Sequence, residues 1–292
     1  MRTNEGLVSE FERLRPYLVR VAYSHLGSLG EAEDIVQEAW LRLDRAERAE
    51  IRDLRAWLGT TVARLAIDAL TSARARREHY VGTWLPEPLV ERAGDCVDPE
   101  ERVTLDESVS MALLVVLESL TPAERSAFLL HDVFGYSFEQ VAGIVGRGPQ
   151  AARQLAARAR RRVEAERPRY PATATQQRQL VEAFLTAASG GDITTLLTLL
   201  DEKVEFRSDG GGRVPAAGEV LRGSKRVAGV LAAMAGHYTG AFEARIVEVN
   251  GAPGLLVESD GIVSVLAFTV DDGRIRAIDL IRNPDKLRHL SR

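Results

Sequence analysis

The stretch GYSFEQVAGIVGRGPQAARQLAARARRRV occupies residues 135–163. Its first half predicts one short amphipathic helix, residues 137–145, because apolar residues recur there at helical spacing. The turn 146–148 follows, and Pro149 is well placed to begin a second helix that runs to Val163. Two short helices joined by a tight turn are typical of a helix-turn-helix.

The second predicted helix is strongly basic. Residues 147–162 contain six arginines and no acid, although the whole chain carries a formal net charge of −4. The second helix of a helix-turn-helix enters the DNA major groove, led by its N-terminal residues. The candidates are Gln150, Arg153 and Gln154 for base edges or phosphates, and Arg158, Arg160, Arg161 and Arg162 for phosphates. The alternative is the solvated basic face of a bundle helix, whose charges complement the helix dipole.

Composition limits the class of protein. A chain of 292 residues predicts two or three domains. Cys96 is the only cysteine, so an intramolecular disulfide and a cysteine-rich metal site are excluded, and a reducing, cytoplasmic compartment is favoured. The charged N-terminus does not resemble a signal peptide. The sequence contains no run of 18 apolar residues, so no membrane span is predicted.

The N-terminal half reads as helices. In EAEDIVQEAWLRL, residues 31–43, the apolar positions Ile35, Val36, Ala39, Trp40 and Leu43 share one predicted face. Residues 81–104 are rich in proline and acids without a sustained period, which indicates a linker. A second helical segment starts near Leu105, and TPAE at 121–124 predicts a capped helix start.

The C-terminal part has a different pattern. After a second linker at 168–177, helices are predicted near 178–189, 192–200 and 224–237. Strands are predicted near 203–207, 242–249, 254–259, 262–270 and 274–282, with Asp272-Gly273 as a hairpin turn. Helices followed by a run of antiparallel strands favour an α+β domain.

Two segments together carry a resemblance to a known family. EAEDIVQEAWLRL and LTPAERSAFLLHDVFGYSFEQVAGIV, the latter followed by QLAARARRRV, resemble regions two and four of bacterial extracytoplasmic-function (ECF) sigma factors. WLPEP (84–88), DGGGR (209–213) and NPDKL (283–287) resemble the SigJ-type subgroup, which carries a C-terminal SnoaL-like domain of the NTF2-like fold.

The resemblance implies a multi-domain architecture of two all-α sigma domains and an α+β NTF2-like cone. Region 2, a helical bundle, would occupy 1–80, and the linker 81–104. Region 4, the helix-turn-helix, would occupy 105–167. A second linker, 168–177, would lead to the SnoaL-like domain at 178–292.

The resemblance also implies partners for particular residues. RNA polymerase core, with its β′ and β subunits, is the implied protein partner. Its β′ subunit would bind the face of the 31–43 helix that carries Asp34, Gln37, Glu38 and Leu41; the alternative is a solvated face. Promoter DNA would be bound at its −35 element by region 4 and at its −10 element by region 2. The implied phosphate contacts in region 2 are Arg55, Arg64, Arg74, Arg76 and Arg77. Trp57 would belong to the core, with base stacking as the alternative.

Leu155 stands where many relatives carry a second basic residue, so their promoter preference does not carry over.

The C-terminal domain leaves several functions open. The three subgroup motifs supply the candidates for a regulatory contact: Trp84, Leu85, Pro86, Asp209, Arg213, Asn283, Pro284, Asp285 and Lys286. The DGGGR loop could instead bind an anion. WLPEP could instead be a stiff spacer. His237, Tyr238 and Asp279 could line a ligand pocket, where a buried carboxyl would act as a base.

We therefore expect a sigma factor without catalytic activity, cofactor or metal, whose C-terminal domain regulates it, with a small ligand in that domain as a further possibility. Two alternatives remain: a ligand-sensing one-component regulator, and an NTF2-like enzyme fused to a DNA-binding module. The 31–43 helix favours the first reading, because a simple regulator does not need a polymerase-binding face.

Overall fold

A computed structural model describes residues 2–46, 51–77, 80–91, 109–237 and 242–290, with only the backbone at 2–5, 74–77, 235–237 and 242. These residues form two compact units. The first is built from residues within 1–78, 97–109 and 113–166, and the second from residues within 79–96, 110–112 and 167–292. The segments expected to form regions 2 and 4 both contribute to the first unit.

The first unit begins with three helices: α1 (Arg2–Leu26), α2 (Leu29–Arg45) and α3 (Leu54–Arg77). Gly27, with a φ of 66°, ends α1, and the Ser28 side chain accepts a hydrogen bond from the Glu31 amide to cap α2. Helix α2 buries the predicted apolar face, including Ile35, Val36 and Leu43. The three helices pack on one another, as the amphipathic pattern predicted.

Four further helices follow: α4 (Met111–Leu117), α5 (Pro122–Phe128), α6 (Phe138–Val145) and α7 (Pro149–Glu166). Apart from the first two residues of α4, they belong to the first unit. Capping boxes at Thr121/Glu124 and Ser137/Gln140 start α5 and α6 where the sequence predicted them. The left-handed Gly146 ends α6. A π-helical turn, Leu129–Val133, extends α5 and was not predicted. The packed α6–turn–α7 pair confirms the predicted helix-turn-helix.

A buried arginine joins these helices to the first three. Arg125 in α5 is 2% exposed, and its Nε and Nη2 atoms donate to the Ser24 carbonyl oxygen at 3.3 and 3.1 Å. Its Nη1 atom pairs with Glu118. Nearby, the hydroxyls of Tyr17 and Tyr136 lie 3.1 Å apart. These contacts join α5 and the start of α6 to α1, and α3 also packs on α5 and α6.

The second unit is an α+β domain, as predicted. Its helices are α8 (Ala174–Ser189), α9 (Ile193–Leu199) and α10 (Ser224–His237). Its strands are β1 (Val90–Glu91), β2 (Leu200–Asp209), β3 (Leu221–Arg222), β4 (Phe242–Val249), β5 (Ala252–Ser259), β6 (Ile262–Asp271) and β7 (Arg274–Ile281). The strand order is β1-β4-β5-β6-β7-β2-β3. Every neighbouring pair is antiparallel except β2 and β7.

Three tight hairpins set the register of β4 to β7. Asn250-Gly251, Asp260-Gly261 and Asp272-Gly273 each adopt positive φ at both positions. Two-residue turns of this kind match the twist of the strands they join. Helix α8 and its neighbours cover one face of this sheet, where Phe184 meets Phe268 edge to face at a centroid distance of 5.0 Å.

Part of the predicted linker belongs to this sheet. Val90 and Glu91 form strand β1, which pairs with Val249 and Glu248 of β4. Asn250 holds the residue before this strand. Its backbone amide donates to the Leu89 carbonyl at 2.8 Å, and its side-chain Oδ1 atom accepts from the Leu89 backbone amide at 3.1 Å. The rest of that linker, 92–104, lies outside the described residues.

Candidate nucleic-acid interface and linker clasp

Helix α7 turns its small apolar residues inward and its polar residues outward. Ala152, Ala156, Ala159 and Val163 are buried against the first unit. The predicted DNA contacts lie on the opposite side: Gln150, Arg153, Gln154, Arg158, Arg161 and Arg162 are exposed, and Arg160 is half-buried. Their exposure meets the first requirement for contact with DNA.

Two of these arginines already have acidic partners. Arg153 Nη2 lies 3.2 Å from Glu139 Oε1, and Arg160 Nη2 lies 2.5 Å from Asp132 Oδ1. Both pairs are solvent-accessible, so salt screens the attraction between their charges. Arg158 and Arg162 help to lower the pKa of Glu124. The burial of that carboxyl raises its pKa, but hydrogen bonds from Thr121 and the two positive charges outweigh the burial.

The predicted arginines of α3 are placed differently. The Arg55 guanidinium lies over the Tyr17 ring at 4.6 Å. Arg64 Nη2 donates to the Gly143 carbonyl of α6 at 3.1 Å, so this arginine contacts the helix-turn-helix itself. Arg74, Arg76 and Arg77 lie at the end of α3, where only the backbone is described. Trp57 is half-buried.

Helix α2 carries the predicted polymerase face on its outer side. Asp34 and Gln37 are exposed, and Leu41 is 41% exposed, which is unusual for a large apolar side chain. Glu38 forms an exposed pair with Arg42 at 2.8 Å. Trp40 packs on Phe11 with ring centroids 4.7 Å apart. The outer side of the helix thus presents an exposed leucine beside polar and charged side chains.

In the second unit, Asp209 gathers four donors. Its Oδ1 atom accepts from the Tyr80 hydroxyl at 2.5 Å and from the Gly211 amide at 3.0 Å. Its Oδ2 atom accepts from the Leu85 amide at 2.9 Å and from Lys286 Nζ at 2.6 Å. The Asp209 side chain is fully buried. Donors to both oxygens and a neighbouring cation compensate the cost of burying its charge.

Lys286 closes the same cluster from the other side. Its ammonium also donates to the Leu85 carbonyl and lies 4.2 Å from the centroid of the Trp84 ring. The Tyr80 ring centroid is 5.3 Å from the same atom. A cation over aromatic faces gains energy that grows with desolvation, and this side chain is only 11% exposed.

The remaining subgroup motif residues surround this cluster. The Asn283 side chain donates to the Tyr80 hydroxyl at 2.8 Å. Gly211 lies against the same asparagine, because a Cβ atom added at Gly211 would come within 2.4 Å of the Asn283 side chain. Pro86 is buried, Pro284 is exposed, and Arg213 pairs with Asp285 at 2.8 Å on the surface. We give the name linker clasp to this set of buried and half-buried residues: Tyr80, Trp84, Leu85, Asp209, Asn283 and Lys286.

Burial and bonding perturb the tyrosine of the clasp. Burial raises the pKa of the Tyr80 hydroxyl, and the hydrogen bond to Asp209 and the charge of that carboxylate raise it further. Tyr80 therefore stays protonated and donates to Asp209 throughout the physiological range.

The second unit also contains an apolar cavity of about 170 Å³. Its walls come from helices α8 and α10 and from the sheet; they include Phe184, Phe206, Leu231, Met234, Leu255 and Leu280. The polar side chains in the lining are Ser189 and Ser264. No titratable side chain lines it among the described residues.

Asp279 does not lie in this cavity, which corrects the prediction of an acid in the pocket. Leu280 lines the cavity, and successive side chains of a strand point to opposite faces. The predicted alternation also grouped Ile275 with Asp279, but a register shift between β6 and β7 places Ile275 in the core with Ile278 and Leu280. The side chain of His237 and the whole of Tyr238 lie outside the described residues.

Asp279 instead forms a buried ion pair. Arg207 Nη1 donates to its Oδ1 atom at 2.8 Å, and Arg207 Nη2 lies 2.6 Å from Glu205 Oε2. Burial raises the pKa of Asp279 while the arginine opposes that rise. For Arg207, the two carboxylates outweigh burial, and its pKa is raised. This carboxyl is therefore a structural partner of Arg207 rather than a group facing the cavity.

Among the described residues, no cluster of three or more His, Cys, Asp or Glu side chains has the arrangement of a metal site. None of the described helices is long and apolar enough to cross a membrane.

Comparison with known proteins identifies the family. Residues 11–76 match Sigma-70 region 2, and residues 110–163 match Sigma-70 region 4. The ECF RNA polymerase sigma factor SigJ of Mycobacterium tuberculosis is 42% identical, over 96% of this chain and 92% of the relative. This chain belongs to the ECF RNA polymerase sigma factors.

Further relatives extend the match over the whole ECF sigma factor. The probable ECF RNA polymerase sigma factor SigI of Mycobacterium tuberculosis is 37% identical over 98% of this chain and 97% of the relative. The crystal structure of Mycobacterium tuberculosis SigJ superposes with a TM-score of 0.79 at 40% identity, covering 96% of this chain and 98% of that one. The predicted family and its fold class are confirmed.

Several residues of these sites were not predicted from the sequence. Tyr80 precedes WLPEP and joins the clasp, and Asn250 anchors the linker strand. Arg125 is buried between helices although its segment reads as an ordinary capped helix. Phe138 and Glu139 contact Arg153. Of these, only Tyr80 could have been suspected, since an aromatic residue near WLPEP extends the same apolar anchor.

Proposed function

We propose that this ECF sigma factor binds core RNA polymerase through the outer face of α2 and promoter DNA through α3 and α7. In this proposal it directs initiation in the cytoplasm without catalysis of its own. The proposal further assigns the linker clasp a regulatory role: the C-terminal domain restrains the factor by holding residues 80–91. The observation that carries this role is Asp209, buried under donors from the linker and the C-terminal tail.

The restraint follows from chain length. Residues 78–110 connect α3 to α4, and a fully extended segment of that length reaches about 110 Å. With 80–91 bound to the C-terminal domain, the remaining 92–110 reach only about 65 Å. Holding the linker therefore limits the separation that the two DNA-binding regions can adopt, and releasing it removes the limit.

Polymerase binding by α2 can be tested on the intact chain. Leu41 is 41% exposed in α2 and Val8 is 40% exposed in α1, which makes them a matched pair. We expect Leu41→Asp to weaken the affinity for purified bacterial core polymerase at least tenfold, measured by fluorescence anisotropy. Val8→Asp should leave it unchanged. Equal effects of the two substitutions on the affinity would show that α2 is not the face that binds core polymerase.

The clasp can be tested by hydrogen exchange of the linker. We expect amides of residues 85–90 to be protected in the free protein, because Leu85 and Leu89 donate to Asp209 and Asn250. Bound core polymerase should lower that protection if the clasp opens in the active complex. Protection that stays the same in both states would contradict the proposed restraint.

The cavity of the second unit is the site that would receive a small regulatory ligand. Its apolar walls and two serines favour a small uncharged molecule, because burying an unpaired charge there would be costly. We expect small aromatic or aliphatic alcohols to raise the melting temperature of the intact protein and charged analogues of equal size to leave it unchanged. Equal responses would remove the cavity as a selective site.

A further inference from the structure

Arg153 of α7, predicted to contact base edges or phosphates, is held by two neighbours from another helix. The Arg153 guanidinium lies over the Phe138 ring, with its central carbon 5.2 Å from the ring centroid. Its Nη2 atom lies 3.2 Å from Glu139 Oε1. Phe138 and Glu139 are the first two residues of α6, so this helix contacts the reading side chain directly.

The two neighbours are themselves fixed. The Phe138 ring stacks on the His131 ring, with centroids 3.8 Å apart and an interplanar angle of 28°. Nδ1 of His131 lies 2.8 Å from the Tyr136 carbonyl oxygen, so the tautomer protonated at Nδ1 donates to it. The capping box of Ser137 and Gln140 sets the first turn of α6, in which Glu139 lies.

These contacts contribute little to folding. Arg153 and Glu139 are 55% and 66% exposed, and an exposed ion pair adds little stability. Their consequence lies in orientation. An arginine has several donors in a rigid fork, so Glu139 can occupy one edge while other N–H groups remain directed outward. A side chain that is already oriented loses less freedom when it binds.

We propose that Phe138 and Glu139 are positioning residues that orient Arg153 toward guanine and thereby set the preference for guanine at one base pair of the −35 element. This inference rests on the proposed function, in which α7 enters the major groove. Arginine pairs with guanine through two donors, a geometry that a loosely held guanidinium satisfies less often. The Glu139 carboxylate also disfavours a phosphate oxygen as the alternative partner of Arg153.

The chain offers a matched control for this proposal. Arg160 forms a similar pair with Asp132, farther along α7 from its N-terminus. Asp132→Asn and Glu139→Gln each remove one negative charge beside an arginine of the same helix. Asp132→Asn should strengthen binding evenly across sequences, because phosphate contacts carry no sequence information.

The test is selection from randomised DNA duplexes by the intact factor assembled with core polymerase. The wild type should enrich guanine at the base pair that Arg153→Ala also affects. Glu139→Gln should lower that guanine preference severalfold and by less than Arg153→Ala, since the whole pair gives roughly 5- to 150-fold discrimination. Phe138→Leu should lower it less at the same base pair, and Asp132→Asn should preserve it.

Other results would overturn the inference. If Glu139→Gln leaves the guanine preference intact, or changes a base pair that Arg153→Ala does not, the two residues do not position Arg153. If it weakens preference equally at every position, its role is structural. If the wild type selects no sequence at all, the proposed function itself fails, which the wild-type arm alone reveals.

Discussion

Two buried ionic clusters, one in each unit, tie distant parts of the chain together, and they differ in the charge at their centre. In the first unit the centre is a cation, Arg125, which donates to the Ser24 carbonyl and pairs with Glu118. In the second unit the centre is an anion, Asp209, which accepts from Tyr80, Leu85, Gly211 and Lys286.

The difference lies in what each cluster leaves behind when its centre is removed. Ser24 lies in the last turn of α1, where helix carbonyls have a partial negative charge, and Glu118 is 23% exposed and can be hydrated. In the clasp the counter-charge is Lys286, which is only 11% exposed. Removing Asp209 therefore takes the counter-charge away from the Lys286 ammonium in a largely desolvated position. Substituting Asp209, whose counter-charge is also buried, should therefore lower the free energy of unfolding more than substituting Arg125 does.

The largest effect is expected from Asp209→Ala. Removing one partner of a buried pair typically costs about 3–5 kcal/mol, and here it also leaves the Leu85 and Gly211 amides without their acceptor. The free energy of unfolding should fall by about that amount, measured by urea denaturation with hydrogen exchange of β1 and β7 peptides. A loss below about 1 kcal/mol would mean that the clasp does not stabilise the second unit.

Arg125→Met should have a smaller effect in the first unit. Hydrogen bonds to charged groups contribute about 1.5–3 kcal/mol, and methionine fills much of the vacated volume. The same urea experiment, followed on α1 and α5 peptides, should show a loss of about 2–3 kcal/mol. Arg13→Met, at a position 76% exposed in α1, is the control and should change nothing. A larger loss than that of Asp209→Ala would reverse the comparison.

The first cluster also predicts a pH dependence through His25, which is fully buried next to Ser24. Burial lowers the pKa of His25 to about 4; the hydrogen bond to the Val21 carbonyl opposes this, while the charge of Arg125 lowers it further. Because the unfolded chain takes up this proton near pH 6.5 and the folded chain does not, stability is lost as pH falls below 6.5 toward 4.

Between pH 7 and pH 5 this histidine should cost about 2 kcal/mol of stability. His25→Leu should remove that part of the acid sensitivity, so that the difference between variant and wild type grows as pH falls. Urea denaturation followed on α1 peptides at both pH values measures it. A difference that does not change with pH would show that His25 titrates alike in the folded and unfolded chain.

The smallest effect is expected beside the clasp, at the surface pair of Arg213 and Asp285. The two side chains are 61% and 37% exposed, and such pairs contribute about 0.2–1 kcal/mol. Arg213→Ala should therefore lower the melting temperature only slightly, and added salt should abolish the difference. A loss of stability approaching that of Asp209→Ala would show that the surface pair stabilises the protein as strongly as the clasp does.

The two clusters also differ in how far the sequence predicts them. Trp84, Asp209 and Lys286 come from three short motifs that were singled out together, so their meeting place could be anticipated. Arg125 lies in TPAERSAF, where the capping box explains the residues locally and gives no sign of a partner 101 positions away. A contact that depends on tertiary packing leaves no periodic signal in the sequence.

Local turn chemistry predicted the sheet better than periodicity did. Asp272-Gly273 was predicted as a hairpin, and Asn250-Gly251 and Asp260-Gly261 carry the same signal. Strict alternation failed along β7, because a register shift near its start moved Ile275 to the face opposite Asp279. One extra residue in a strand exchanges the faces that follow it, and this removed the predicted acid from the cavity.

The most direct test of the central claim is run-off transcription by the intact factor with purified bacterial core polymerase on a promoter library. We predict core-dependent initiation from a defined set of sequences, and a higher yield with Asp209→Asn, because a weakened clasp releases residues 80–91. Initiation without any increase in the variant would contradict the restraint by the C-terminal domain. No core-dependent initiation by either protein would contradict the sigma factor function itself.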